Sequence, residues 1–195
     1  MTTKTKTPKE PSSSTGNRRA IAQEERRKKQ RRQRLVYTTA GIALAAILAF
    51  FVIRALATPA PGEAVRTQGN AHITEAQMGQ FVYNTTPPTS GPHLGSIARW
   101  GIHTEPVPNE LQLHNLEDGG VMVQYNCPDG CDDLVAQLSE IVARYSEQVI
   151  LAPYPDMDST IALTAWGRID TFDAFDQERI ERFIKAYRGI DHHRG

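Results

Sequence analysis

The chain has no internal repeat, no H-E-x-x-H helix and no G-x-S-x-G elbow. Lack of repeats sets aside solenoids, and 195 residues then suit one folded unit of modest core. Lack of the zinc-protease motif means that any metal site must be assembled by the fold from separated segments. Lack of the elbow, with Ser90 only three residues from His93, argues against a serine hydrolase. Cysteine occurs twice, as Cys127 and Cys131, and the basic N-terminal segment carries no aromatic residue between its charges. Bases would have nothing to stack on there, so nucleic acid is not the expected partner.

Charge is absent altogether from "LVYTTAGIALAAILAFFVI", the 19 positions between Arg34 and Arg54. As a helix this run reaches about 28 Å, close to the hydrocarbon thickness of a bilayer. It also divides the charge. Residues 1–34 hold 12 Lys and Arg against 3 Glu, whereas the rest hold 10 Lys and Arg against 19 Asp and Glu. A net charge of zero thus conceals +9 in front of the run and −9 behind it. A single transmembrane helix over residues 35–57 is expected, with the basic N-terminus cytoplasmic and the remainder extracytoplasmic. A cleaved signal peptide ending near "ALA", residues 55–57, is the alternative, although its basic and apolar regions would both be too long.

Residues 1–34 read as a disordered basic tail, with "AIAQEERRKKQRRQR" able to turn helical beside anionic lipid headgroups. Residues 58–68 read as a Pro-containing linker, 69–189 as the globular domain, and 190–195, with His192 and His193, as a flexible tail. "AHITEAQMGQFVYN" is ambiguous between strand and short helix. "TTPPTSGPHLG" must be irregular, because three prolines and two glycines fall in eleven positions. "GGVMVQYN" reads as a strand and "CPDGC" as a turn. "DDLVAQLSEIVARYS" follows as a helix with Leu134, Leu138, Ile141 and Tyr145 on one face behind Asp132 as N-cap. "QVILAPYP" and "TIALTAWGRIDTF" read as strands, and "DQERIERFIKAYRG" as a helix with Ile180, Phe183, Ile184 and Tyr187 on one face and Gly189 as its stop. The order β-α-β-β-α implies an α+β or α/β fold, a mixed sheet with helices on at least one face. The crossover through the first helix implies a parallel strand pair.

Outside the cytoplasm, Cys127 and Cys131 are expected to form a disulfide staple, since the C-x3-C spacing allows the Cα separation that a bridge needs. Their place at a helix N-terminus also suits a low thiol pKa, which keeps a thiol-disulfide oxidoreductase open as an alternative. "CPDGC" resembles, over these few residues, the C-P-D-x-C loop of the Sco copper chaperones. That likeness implies thiol ligands for copper. Four of the six histidines, His72, His93, His103 and His114, fall within 43 residues, and Glu117 and Asp118 follow the last. Neutral imidazole together with carboxylate suits zinc, copper, iron or nickel.

"YNTTPPTSGPHLG", "LHNLEDGGVMVQY" and "ALTAWGR" are similar, in order, to three blocks of a bacterial family, the domain-of-unknown-function 3105 (DUF3105) family. The resemblance implies a membrane-anchored or secreted bacterial domain and an envelope location at the plasma membrane. It puts His93, His114 and Glu117 on motif positions and His72 where an H-[IV] pair is common. It implies no activity. Asp118 stands where that family usually has a second histidine, and His103 where an aromatic residue is commoner. If the motif histidines bind a metal, either Asp118 replaces that ligand with oxygen or His103 does with nitrogen. The leading expectation is an extracytoplasmic domain that handles copper or zinc through His93 and His114, with Glu117, Asp118, His72 and His103 as further candidates, and that is not an enzyme. The alternative is a protein-interaction module of the envelope, in which the same residues form a polar brace.

Overall fold

The computed structural model describes residues 14–57, 59–155 and 157–193, in two units, Met1–Pro59 and Ala60–Gly195. The first unit is one helix, α1 (Ser14–Ala57), of 44 residues. The disordered tail expected over 1–34 is therefore helical from Ser14 onward, and its first 13 residues lie outside the described ones. The reason is propagation. Gln, Glu, Lys and Arg are good helix formers, Glu24 and Lys28 pair at 3.0 Å one turn apart, and extending a nucleated helix fixes one residue per hydrogen bond. Leu35, Ile42, Leu44, Phe50 and Ile53 are each more than half exposed. The helix is long and apolar enough to cross a bilayer, and by length and composition it fits a membrane anchor or a signal sequence.

The second unit contains β1 (Glu63–Ala64), β2 (His72–Ile73), β3 (His93–Leu94), β4 (Gly101–Ile102), α2 (Asn109–Glu117) and β5 (Val121–Tyr125). α3 (Asp132–Val142), β6 (Val149–Pro153), β7 (Ile161–Ala165), β8 (Arg168–Phe172) and α4 (Gln177–Tyr187) follow. Six strands form a mixed sheet in the order β1-β8-β7-β5-β6-β4, and β2 and β3 form a separate parallel pair. The α/β character and the parallel β5–α3–β6 crossover agree with the sequence reading. "TIALTAWGRIDTF" is not one strand but a hairpin, β7 and β8, because the chain reverses at Trp166–Gly167 with Gly167 at φ 66°. Cys131, rather than Asp132, occupies the N-cap of α3. The linker expected over 58–68 is partly folded. β1 pairs with β8, and Pro61 is buried with its carbonyl accepting from the Tyr187 hydroxyl at 2.6 Å. A strand of two residues carries no legible alternation, so only its sheet partner reveals it.

Both faces of the sheet are covered. Val121 and Val123 of β5 point with Val149, Leu151, Ile161 and Leu163 into a core closed by Leu138 and Ile141 of α3 and Ile180, Phe183 and Ile184 of α4. Met122, between them in sequence, points the other way with Ile150 and Ala152 against Leu113 and Leu116 of α2. Double coverage explains why Val121, Met122 and Val123 of β5 are apolar in succession rather than alternating. Helix α2 escaped the sequence reading because Glu110, Gln112, Asn115 and Glu117 are buried along with Leu113 and Leu116, which erases any apolar stripe.

Candidate metal centre

His114, Glu117 and Asp118 are separated by three and four positions at the end of α2, so the helical period puts them on one face. The chain must then turn sharply into β5. Gly119 does so at φ 78°, and a Cβ there would lie 2.6 Å from the Ile190 amide nitrogen. At Gly120 a Cβ would lie 2.8 Å from the Trp100 ring. The paired glycines therefore let the C-terminal residues and Trp100 pack onto the turn.

The Pro-rich loop supplies the next ligand. Pro87 to Gly91 are buried. The Tyr83 hydroxyl donates to the Pro92 carbonyl at 2.8 Å, and the Gln68 amide donates to the Ser90 hydroxyl at 3.0 Å. The Gly91 and His93 amides donate to the Gly69 and Ala71 carbonyls at 3.1 and 3.0 Å. These bonds draw His93 into β3 directly opposite His72 in β2. Helix and loop thus converge. The rings of His72, His93 and His114 lie 5.0 to 5.2 Å apart, and ligand atoms of these three and Glu117 all fall within 4.8 Å of one another.

Glu117, at 1% exposure, is the hub. Its Oε2 lies 3.0 Å from His93 Nε2, 3.8 Å from His72 Nε2 and 3.5 Å from His193 Nε2. Ligands around a tetrahedral ion with bonds of about 2.05 Å are about 3.3 Å apart, so the His93 and His72 separations bracket the spacing a shared ion requires. Glu117 Oε1 accepts from the Asn70 amide at 2.8 Å, which fixes the carboxylate as outer-shell partners of metal ligands do.

Proton accounting around His93 is decisive for the chemistry. The ring is fully buried between two acceptors, the Gly91 carbonyl 2.7 Å from Nδ1 and Glu117 Oε2 3.0 Å from Nε2. A neutral imidazole has one N–H, so either tautomer leaves one lone pair facing another oxygen. An imidazolium would satisfy both, but burial disfavours it and holds the His93 pKa below its ordinary value, outweighing the Gly91 carbonyl and the Glu117 charge. Burial raises the Glu117 carboxyl, yet the Asn70 amide and the His93 and His193 rings beside it together bring it below the ordinary range. A neutral histidine facing an ionised carboxylate is a pair that a cation on Nε2 would satisfy. His114 is set the same way, with Nδ1 2.8 Å from the Leu94 carbonyl and Nε2 left to the centre.

The six candidates from sequence separate here. His72, His93, His114 and Glu117 come together. Asp118 joins a neighbouring group with His114 and His193. His103 belongs to neither, and its Nε2 instead bonds the Arg99 carbonyl at 2.7 Å. Sequence reasoning missed Asn70, whose amide carries no signal of its own, and His193. The tail expected to be flexible over 190–195 is tied down as far as His193, because the Gly189 amide donates to Gly119 and the His192 amide to Glu117, at 2.8 and 2.9 Å. His192 stacks on Trp166, whose ring also contacts His93 at 5.8 Å. Residues 194–195 lie outside the described ones.

Cys127 and Cys131 form a disulfide. They follow the C-terminal end of β5, whereas Glu117 and Asp118 precede its N-terminal end, and five extended residues span about 17 Å. The disulfide and the histidine cluster thus lie at opposite ends of β5. No curated protein and no solved structure matches the chain. A family model described as a protein of unknown function, DUF3105, matches residues 74–194, which takes in α2, the Pro-rich loop and the C-terminal histidines, and the chain belongs to that family.

Proposed function

We propose that the folded unit is an extracytoplasmic domain, anchored in the bacterial plasma membrane by α1, that binds a transition-metal ion through His72, His93, His114 and Glu117. The observation that carries this is His93, buried between two acceptors that one neutral imidazole cannot satisfy. Donors that are all nitrogen and oxygen suit zinc or cupric ion, while cuprous ion prefers sulfur. His72 has a side chain 52% exposed, so the group is not sealed from solvent. The orientation follows from "RRKKQRRQR" before the span, whose charges stay on the cytoplasmic side beside anionic lipid.

The test is metal content of the full chain in detergent, purified without chelator or affinity histidines. One zinc or copper per chain is expected, lost in both His93→Ala and His114→Ala. Absence of metal together with no affinity tighter than micromolar would overturn the reading. The brace reading draws on the Asn70 and Gly91 bonds, and it predicts that His93→Ala lowers stability equally with and without added metal.

A further inference from the structure

Beside the inner group lies a second one. Ligand atoms of His114, Asp118 and His193 also fall within 4.8 Å of one another. Its own members, His193 and Asp118, have side chains 38% and 33% exposed, against 0% and 1% for His93 and Glu117, the two buried ligands of the inner group, whose exposed member is His72 at 52%. His193 is also oriented as a ligand. Its Nδ1 lies 2.8 Å from Asp191 Oδ1, which orients the ring with Nε2 on the side away from Asp191. A carboxylate bonded to the far nitrogen is the arrangement that fixes metal-binding imidazoles. Nε2 faces Glu117 Oε2 at 3.5 Å, so His193 reaches toward the inner group while its ring touches His114.

The two groups share His114, and His114 has only one nitrogen to offer because Nδ1 is held by the Leu94 carbonyl. They are therefore alternatives for a single ion rather than two filled sites. An ion passing inward would exchange Asp118 and His193 for His72, His93 and Glu117 while keeping its bond to His114. We infer that His114, Asp118 and His193 form an outer position for a divalent transition-metal ion, through which the ion enters and leaves the inner group. This rests on the metal reading above.

Stopped-flow uptake of cobalt(II) by the full chain in detergent micelles, followed by its visible absorption, and extraction by a chelator test it together. In His193→Ala and in Asp118→Asn both uptake and extraction should slow about tenfold, the scale on which supporting groups act at metal centres. Equilibrium affinity should change little, because a path used in both directions alters rates and not the end state. Stoichiometry should remain one cobalt per chain. Unchanged rates would overturn the inference, as would a loss of affinity at unchanged uptake, which would make His193 an ordinary ligand, or two cobalt ions per chain. A wild-type chain that binds no cobalt would remove the metal reading and this inference with it. Melting curves of both variants within a few degrees of wild type would show that the slower rates are not loss of fold.

Discussion

Replacing Glu117 by Gln tests the frustration at His93 without changing shape. In the metal-free protein, one of the two short contacts at His93 lacks a proton. A buried polar group left unsatisfied costs about 1–3 kcal/mol. A glutamine amide can donate to His93 Nε2 while its oxygen still accepts from Asn70, so both contacts are satisfied with a neutral ring. The variant should gain about 1–2 kcal/mol without metal, a melting point about 4–8 °C higher for a unit of this size. Zinc should act in the opposite sense. At a hundredfold excess over the dissociation constant, binding adds about 2.7 kcal/mol to wild type, about 10 °C. The neutral amide is a poorer ligand and should lose most of that. The melting points of the two proteins therefore exchange order between chelator and zinc, as read by intrinsic fluorescence on the full chain in detergent. A variant that melts below wild type in chelator would refute the proton accounting and favour a structural brace.

Acidification of the metal-free protein should lower its stability. The folded pKa of His93 lies below the ordinary 6.5, so under that pH the unfolded chain takes up a proton that the folded one refuses. Glu117, also depressed, adds to the loss as pH falls through its folded value. His193, raised mainly by its bond to Asp191, opposes it, contributing stability at low pH that is lost as pH rises through its folded value; at 38% exposure solvent screens that contribution. Urea midpoints in chelator should fall between pH 7.5 and 5.5, and less so in His93→Gln; a rise would contradict the assignment. Replacing Cys127 and Cys131 together by Ala opens a loop of sequence separation 4, which chain entropy values at about 2 kcal/mol. Calorimetric titration should find zinc affinity unchanged in that variant, because the bridge lies at the far end of β5. A large loss would mean that the sulfurs and the histidines are coupled.

The C-terminal half of the fold was legible because its helices are amphipathic and its covered strands are apolar runs. Ile180, Phe183 and Ile184 fall at helical spacing and are buried where that spacing put them. The site was legible as residue types but not as a set. His103 stands closer in sequence to His114 than His93 does, 11 positions against 21, yet it turns to the Arg99 carbonyl, and no spacing rule foretells that. What brings His72 to His93 is backbone pairing of two-residue strands, which have no period to read. Helix α2 hid for a related reason: its buried Glu110 accepts from the Gly79 amide and its buried Gln112 from Gln124 of β5, so burial there does not track hydropathy. His193 was out of reach because its role depends on Gly119 admitting the tail at the turn.

The central claim is a resident ion held by imidazole and carboxylate without sulfur. X-ray absorption at the zinc edge of the full chain, loaded with one equivalent, tests it most directly. The expected result is a first shell of nitrogen and oxygen only, at about 2.0–2.1 Å, with imidazole scattering that weakens in His93→Ala. A sulfur shell at about 2.3 Å, or a spectrum of hydrated zinc unchanged by that substitution, would contradict it.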